Sequence, residues 1–447
     1  MQSFVDTASS IPVVNGALKI KNDYLPSGSL INPLCSMAID SVSAVKNNFK
    51  LTGSVPLVQD DVNSYLACSS MLHTLDGWVY LSHSVESLLK GDIGISIHLA
   101  YYAELRATMS FLASEGIGIF DNKHLGVDST NRTNKAPKEI GTHAMVWEAI
   151  DKWSTSTVKP TNSDILEVFS VNGKTFKDWV NAFPFPSLTS GSAIIMQWMR
   201  DWNFDVSYFK DDRKMRNEVS YRPQRLNHIP PKHSINEIIQ ELSSYWNILE
   251  PYQSNTFQVL DKYLLRILLQ KMYNNLSQTV RNVNSLESII IDTFNNLGET
   301  QNQSFIDFLK DETTTHPIFG EAKNHALDPA TKSLNAISVI ARATLMLRIS
   351  TGNTSLIYRK AGVSKSELDF LWERYGVENG FWNSGNAPAD FNDLWDDIRD
   401  HIEEVTDWAD TKKPNLSLSQ VYEDPDIPFA FNYYKQFNRV GLWGLAI

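Results

Sequence analysis

Apolar positions recur at three- and four-residue steps through most of this chain. Across 61–90 they fall at Leu66, Met71, Leu75, Trp78, Leu81, Val85 and Leu88, the spacing of one helix face. Across 95–114, Leu99, Tyr102, Leu105, Met109 and Leu112 share a face, and Gly116 follows as a stop signal. The same periodicity predicts helices over 142–154, 162–169, 192–203, 234–249, 255–275, 285–296, 329–350, 364–375 and 389–407. Alternation with period two is scarce. The stretch "VVNGALKI" (13–20) contains Asn15-Gly16, a hairpin turn signal, and predicts a minor N-terminal β-hairpin. The expected fold class is all-α, a helical bundle followed by a second helical domain.

Length sets the domain count. A chain of 447 residues exceeds what one hydrophobic core usually serves, so two domains are expected, 1–228 and 229–447. The boundary falls in "RPQRLNHIPPKHS" (222–234), which holds three prolines and no apolar period. Two helical segments share text across that boundary. With Arg106 aligned on Arg342, five of eleven positions match: Arg, Ala, Thr, a later Ser and a Gly. The neighbouring text does not align, so this is no repeat architecture. It does place an arginine twice in apolar helical surroundings.

Charge and cysteines change the picture modestly. The net charge is -11, with acidic residues gathered in 391–410, which argues against non-specific duplex DNA binding by the whole surface. The densest basic stretch is "KDDRKMRNEVSYRPQR" (210–225). The two cysteines, Cys35 and Cys68, form no metal-type spacing and no disulfide framework. The N-terminus lacks the basic and apolar regions of a signal peptide, and no apolar run reaches about 18 residues. A cytoplasmic setting without membrane contact is the expectation.

Common catalytic motifs are absent: no P-loop, HExxH, GxSxG or paired CxxC occurs. One string has the form of a metal nuclease, with Asp311, Glu321 and Lys323 in a D…ExK order. In such sites two carboxylates hold a divalent ion and the lysine steadies the attacking water, which requires neighbouring strands. The flanks here read as helix and loop. A second string, "MRNEVSYRP" (215–223), separates Arg216 from Tyr221 by four residues, with Arg222 next. An arginine can hold a phosphate as a planar fork, and a tyrosine can hydrogen-bond it or pass a proton. The same residues also suit a basic helix end facing the negative dipole.

Three segments resemble the HEPN group of small helical domains found in RNase toxins and antiviral systems. "HLAYYAELRATMSFLASEGI" (98–117) is similar to a long core helix of such bundles, "GTHAMVWEAIDKW" (141–153) to the helix after it, and "RNEVSY" (216–221) to the arginine–histidine motif near the last helix. The resemblance implies metal-independent RNA cleavage through the 2′-hydroxyl, at a site built across a two-fold interface, hence a homodimer. It needs no metal or other cofactor. The motif's histidine position is Tyr221 in this chain. Either Tyr221 replaces it, or Arg222 and His228 form the active pair, or cleavage has been lost. On this reading the catalytic candidates are Arg216, Tyr221, Glu104 and His228, with Arg106, Arg222 and Asn217 on phosphate or RNA. The competing reading is a non-catalytic helical scaffold for a partner protein or nucleotide, its arginines acting as structural plugs.

Other polar residues carry two readings each. Glu104 and Arg106 either serve the site or tie helices together. His143, at a helix start, is either a site residue or a capping one. Arg342 is expected to be a paired arginine within a second core, and Arg348, six residues on, to point elsewhere. Asp393, Asp396, Asp397, Asp400 and Glu404 read as a solvated acidic face more readily than a metal site.

Overall fold

The computed structural model describes residues 1–35, 37–48, 58–202, 229–252, 257–411, 418–424 and 427–446. Helices dominate the described residues, as the periodicity predicts. The first half contains α1 (Gln2–Thr7), α2 (Ile11–Lys19), α3 (Ser41–Asn48), α4 (Gln59–Leu89) and α5 (Ile93–Ser114), then α6 (Thr142–Ser154), α7 (Lys159–Asn162), α8 (Phe176–Ala182) and α9 (Leu188–Asp201). The second half contains α10 (Ile235–Ile248), α11 (Gln258–Asn274), α12 (Gln278–Val283), α13 (Leu286–Leu297), α14 (Gln303–Lys310) and α15 (Pro317–Glu321). It continues with α16 (Ala336–Lys360), α17 (Asp369–Glu378), α18 (Asp393–Thr411), α19 (Phe431–Tyr434) and α20 (Val440–Leu445).

Among the described residues two small antiparallel sheets interrupt this pattern. One pairs β1 (Ile117–Gly118), β2 (Leu125–Val127) and β3 (Thr133–Lys135), with Ile117 opposite Gly126 and Gly126 opposite Asn134. The other is the hairpin of β4 (Ser170–Val171) and β5 (Lys174–Thr175). Its turn is Asn172-Gly173, with φ of 53° and 72°, the positive pair that a tight two-residue hairpin requires.

The N-terminal hairpin expected over 13–20 does not form; α2 occupies that place. Gly16 is there for a different reason. A β-carbon at Gly16 would run into the backbone of Asn63 on α4, so the glycine lets two helices approach closely. The helix expected over 162–169 is also broken. Ser163 turns extended after α7 (φ -98°, ψ 144°), and only a short 3-10 turn follows at Ile165–Glu167.

The centre of the molecule is a three-helix unit. The short turn at Lys90–Asp92 makes α4 and α5 antiparallel neighbours, and α16 lies against both. Hydrogen bonds along the seam fix the directions. Tyr358 donates to Ala67 O at 3.1 Å, and Trp78 donates to the Thr351 hydroxyl at 3.0 Å, so α16 runs antiparallel to α4. Glu104 faces Arg342 and Ser110 meets Thr354, so it runs parallel to α5. Small side chains permit this closeness. The hydroxyls of Thr74, Ser110 and Thr354 form a buried triangle with edges of 2.7, 3.2 and 3.3 Å, and Asn353 donates to Ser114 at 2.6 Å. Each buried hydroxyl finds a partner, which makes a polar seam tolerable in an apolar core.

From Ala336 to Tyr358 almost every residue of α16 is buried, so this helix is enclosed on all sides. Buried apolar side chains form one contiguous cluster from Phe4 to Leu445, drawing on both sides of the boundary read at 228/229. Ion pairs reinforce it. Arg348 and Asp261 join α16 to α11, and Lys159 donates to Ala8 O at 2.7 Å beside Glu115. Among the described residues no helix is long and apolar enough to cross a membrane.

Candidate functional site

Polar and aromatic side chains gather along α5, which packs against both α6 and α16. Glu104, fully buried, comes from the middle of α5, and its Oε1 lies 3.6 Å from Nε of the equally buried Arg342. The same guanidinium donates to Asn324 O at 2.7 Å and to Ala322 O at 3.4 Å, in the loop after α15. One turn before Glu104, on the same face of α5, stands Tyr101. Its hydroxyl pairs with Nδ1 of His143 at 3.0 Å and accepts from Trp147 Nε1 at 3.1 Å. His143 opens α6 and is only half-buried, with its ring stacked on Tyr101 at 5.8 Å between centroids.

Aromatic rings extend this cluster outward. Tyr102 sits 5.9 Å from Tyr101, 5.8 Å from His143, 5.0 Å from His98 and 5.5 Å from Tyr80. Tyr80, His98 and Tyr102 are all half-buried. Their spacing lies in the range of favourable ring–ring contact. The arrangement runs from a fully enclosed ion pair, through a Tyr–His–Trp hydrogen-bond chain, to a partly exposed aromatic edge. Chemically it can hold an imidazole in one orientation and exchange a proton through it. Glu104 and Arg342 are too enclosed to meet a substrate directly; they tie α5, which also carries Tyr101, to α16.

Arg106 does not join Glu104. Two residues apart on a helix means nearly opposite directions, and Arg106 leaves α5 toward α4. There it meets His73 Nδ1 at 3.0 Å and stands 3.8 Å from Asp76. Burial first, and the Arg106 charge second, push the His73 imidazole down to about 3. His73 is therefore neutral and accepts from the arginine. Burial raises the Asp76 carboxyl against the pull of Arg106. This trio is a local helix–helix tie, separate from the Glu104 cluster.

The remaining site candidates, Arg216, Asn217, Tyr221, Arg222 and His228, lie outside the described residues. The D…ExK string is described and does not assemble on strands. Asp311 closes a loop after α14, accepting from the Thr313 amide at 2.7 Å and its hydroxyl at 2.6 Å. Glu321 ends α15, accepts from Asn335 Nδ2 at 3.0 Å and lies 3.9 Å from His233 Nε2. Among the described residues no group of three or more His, Cys, Asp or Glu is placed to hold a metal ion. The string nonetheless borders the cluster, because the carbonyls that flank Lys323 are the ones receiving Arg342. On the acidic face of α18, Asp397 is claimed by Arg439 at 2.9 Å.

Glu104 stands among the candidates the sequence offers; Arg342, expected to be a paired arginine within a second core, is paired, but its carboxylate comes from Glu104 in the first half. Trp147 and the Asn324 loop are not among those candidates. One signal was present: "HLAYYAELRAT" sets Tyr101 and Glu104 on one face, next to a helix beginning Thr142-His143. No family model, curated protein or solved structure matches the chain.

Proposed function

We propose that this chain is a component of a bacterial antiviral defence or toxin-type system, with a HEPN-like first half that cleaves RNA without a metal. The observation that supports this most is the half-buried His143, oriented by Tyr101 beside the Glu104–Arg342 pair. It would supply the imidazole that the "RNEVSY" string lacks. Cleavage through the 2′-hydroxyl needs a base to take that proton as the oxygen attacks phosphorus. It also needs an acid to return a proton to the departing 5′-oxygen, leaving a 2′,3′-cyclic phosphate and a 5′-hydroxyl end. His143 would take the first role and Tyr221 or His228 the second. Arg216 would neutralise the phosphate, with Arg222 and Asn217 beside it. Glu104 and Arg342 would be positioning residues. A homodimer follows from the same resemblance.

The test is incubation of purified protein with end-labelled RNA in EDTA. Cleavage that survives chelation, leaves cyclic phosphate ends and falls at least about a hundredfold in both His143→Ala and Arg216→Ala supports the reading. Equal cleavage by His143→Ala removes His143 from it. Cleavage that needs Mg²⁺ moves the function to a metal nuclease.

A second reading, a non-catalytic scaffold for a protein or nucleotide partner, draws on the pairing of buried arginines. Buried Arg342 and Arg348 face the buried carboxylates of Glu104 and Asp261, and buried Arg439 faces Asp397, whose carboxylate is exposed at the surface of α18. Absence of cleavage under all conditions, with one stoichiometric partner retained through purification, would favour it.

A further inference from the structure

A cleft of about 400 Å³ opens between α11, the β4–β5 turn and the α13–α14 connection, on elements that do not form the Glu104 cluster. Its volume falls in the range of small-molecule sites. The floor is aromatic: Tyr263, Phe305 and Phe308 line it and all three are half-buried. Tyr263 and Phe308 meet edge to face at 5.1 Å, and Phe305 and Phe308 are nearly parallel at 6.2 Å. The rim carries the hydroxyls of Thr300 and Ser304.

Among the described residues two cations touch this aromatic group, and they differ. Arg266 lies over Phe308 at 4.5 Å and Tyr263 at 5.1 Å, donates to Thr314 O, and stands 3.9 Å from Asp311. Its charge is spent inside the fold. Lys262 lines the cleft with its Nζ 5.6 Å from the Phe305 ring centre, and among the described residues it has no carboxylate partner.

We propose that this cleft binds a small aromatic monocarboxylate, its ring against Phe305 and Phe308 and its carboxylate on Lys262. The ring surfaces favour a flat apolar body. One ammonium balances one negative charge. A phosphate monoester carries close to two and would leave charge uncompensated beside the aromatic floor. The assignment does not depend on the RNA-cleavage reading.

Indole-3-acetate is a suitable probe, with neutral indole-3-acetamide and AMP as comparisons, followed by calorimetry and saturation-transfer NMR on the full chain. Saturable binding of indole-3-acetate is expected, with the acetamide about tenfold weaker, the weight of one charge-assisted hydrogen bond. Lys262→Met should bring the two to equal affinity. Phe305→Leu, which keeps apolar volume, should weaken both. Equal binding of acetate and acetamide by the wild-type chain would overturn the proposal. So would an unchanged Lys262→Met, tighter binding of AMP, or no saturable binding at millimolar probe.

Discussion

Arg348 shows how a charge is kept inside this protein. Its Nε and one terminal nitrogen donate to the two oxygens of Asp261 at 2.9 and 2.6 Å, and that nitrogen also reaches Val168 O at 3.0 Å. Asp261 accepts in addition from the Ser170 amide at 3.0 Å. The guanidinium lies between the rings of Phe169 and Phe257, at 4.9 and 4.7 Å. Burial pushes the Asp261 carboxyl up, and Arg348 holds it back only in part. A buried pair gives little net stability over an apolar replacement, yet losing one partner strands the other. Asp261→Asn should therefore cost about 3–5 kcal/mol in urea unfolding. The double variant Asp261→Leu/Arg348→Met should cost less than either single change. A loss below about 1 kcal/mol for Asp261→Asn would mean that water already reaches the pair.

At the scale of elements, one dipeptide has two outcomes. Asn15-Gly16 lies inside a helix, and Asn172-Gly173 turns a hairpin. The dipeptide permits positive φ but does not demand it; the surroundings choose. At 172–173 the flanking backbones pair and both turn residues take positive φ. At Gly16 the constraint is the backbone of α4 across a tight helix contact. Gly16→Ala should thus destabilise by about 2 kcal/mol or more, although alanine is the better helix former by about 1 kcal/mol. Gly320 on α15 provides the control. Nothing lies within 4 Å of the position its β-carbon would take, so Gly320→Ala should be neutral or stabilise by up to about 1 kcal/mol. Paired thermal melts of the two variants separate the effects. Similar shifts for both would show that the α2–α4 contact can relax.

For the molecule as a whole, acid stability follows from its neutral histidines. His73 is pushed down to about 3, His316 to about 4 by burial, and His124 is lowered, again chiefly by burial. The unfolded chain binds protons at these positions near the ordinary value of 6.5, whereas the folded chain resists. Their contribution is complete above 6.5 and is lost as pH falls from there, toward 4 for His316 and toward 3 for His73. Glu86 adds a second, more acidic component. Burial raises its carboxyl, but hydrogen bonds from Lys435 and Lys90 outweigh this and bring it to about 2. The tie between α4 and the C-terminal segment is thus present above 4.5 and lost as pH falls from there toward 2. The melting temperature should be level above pH 7 and decline steadily from 6.5 to 4. An unchanged melting temperature at pH 4.5 would show that these histidines are solvated.

The sequence by itself determined the helical class, most helix positions and the apolar faces, because these rest on local periodicity and on stops such as Gly116. It also marked Tyr101 and Glu104 as neighbours, since three-residue spacing on a helix is a local property. Tertiary structure alone decided which polar groups meet. The shared Arg-Ala-Thr text suits two parallel helices that press small residues into one seam, yet its arginines diverge. Arg106 turns to His73 on α4, while Arg342 reaches back across the chain to Glu104. Nothing local separates those fates. An arginine side chain goes where a carboxylate or carbonyl is already held, and the partners of Arg342 come from α5 and the Asn324 loop, far away along the chain.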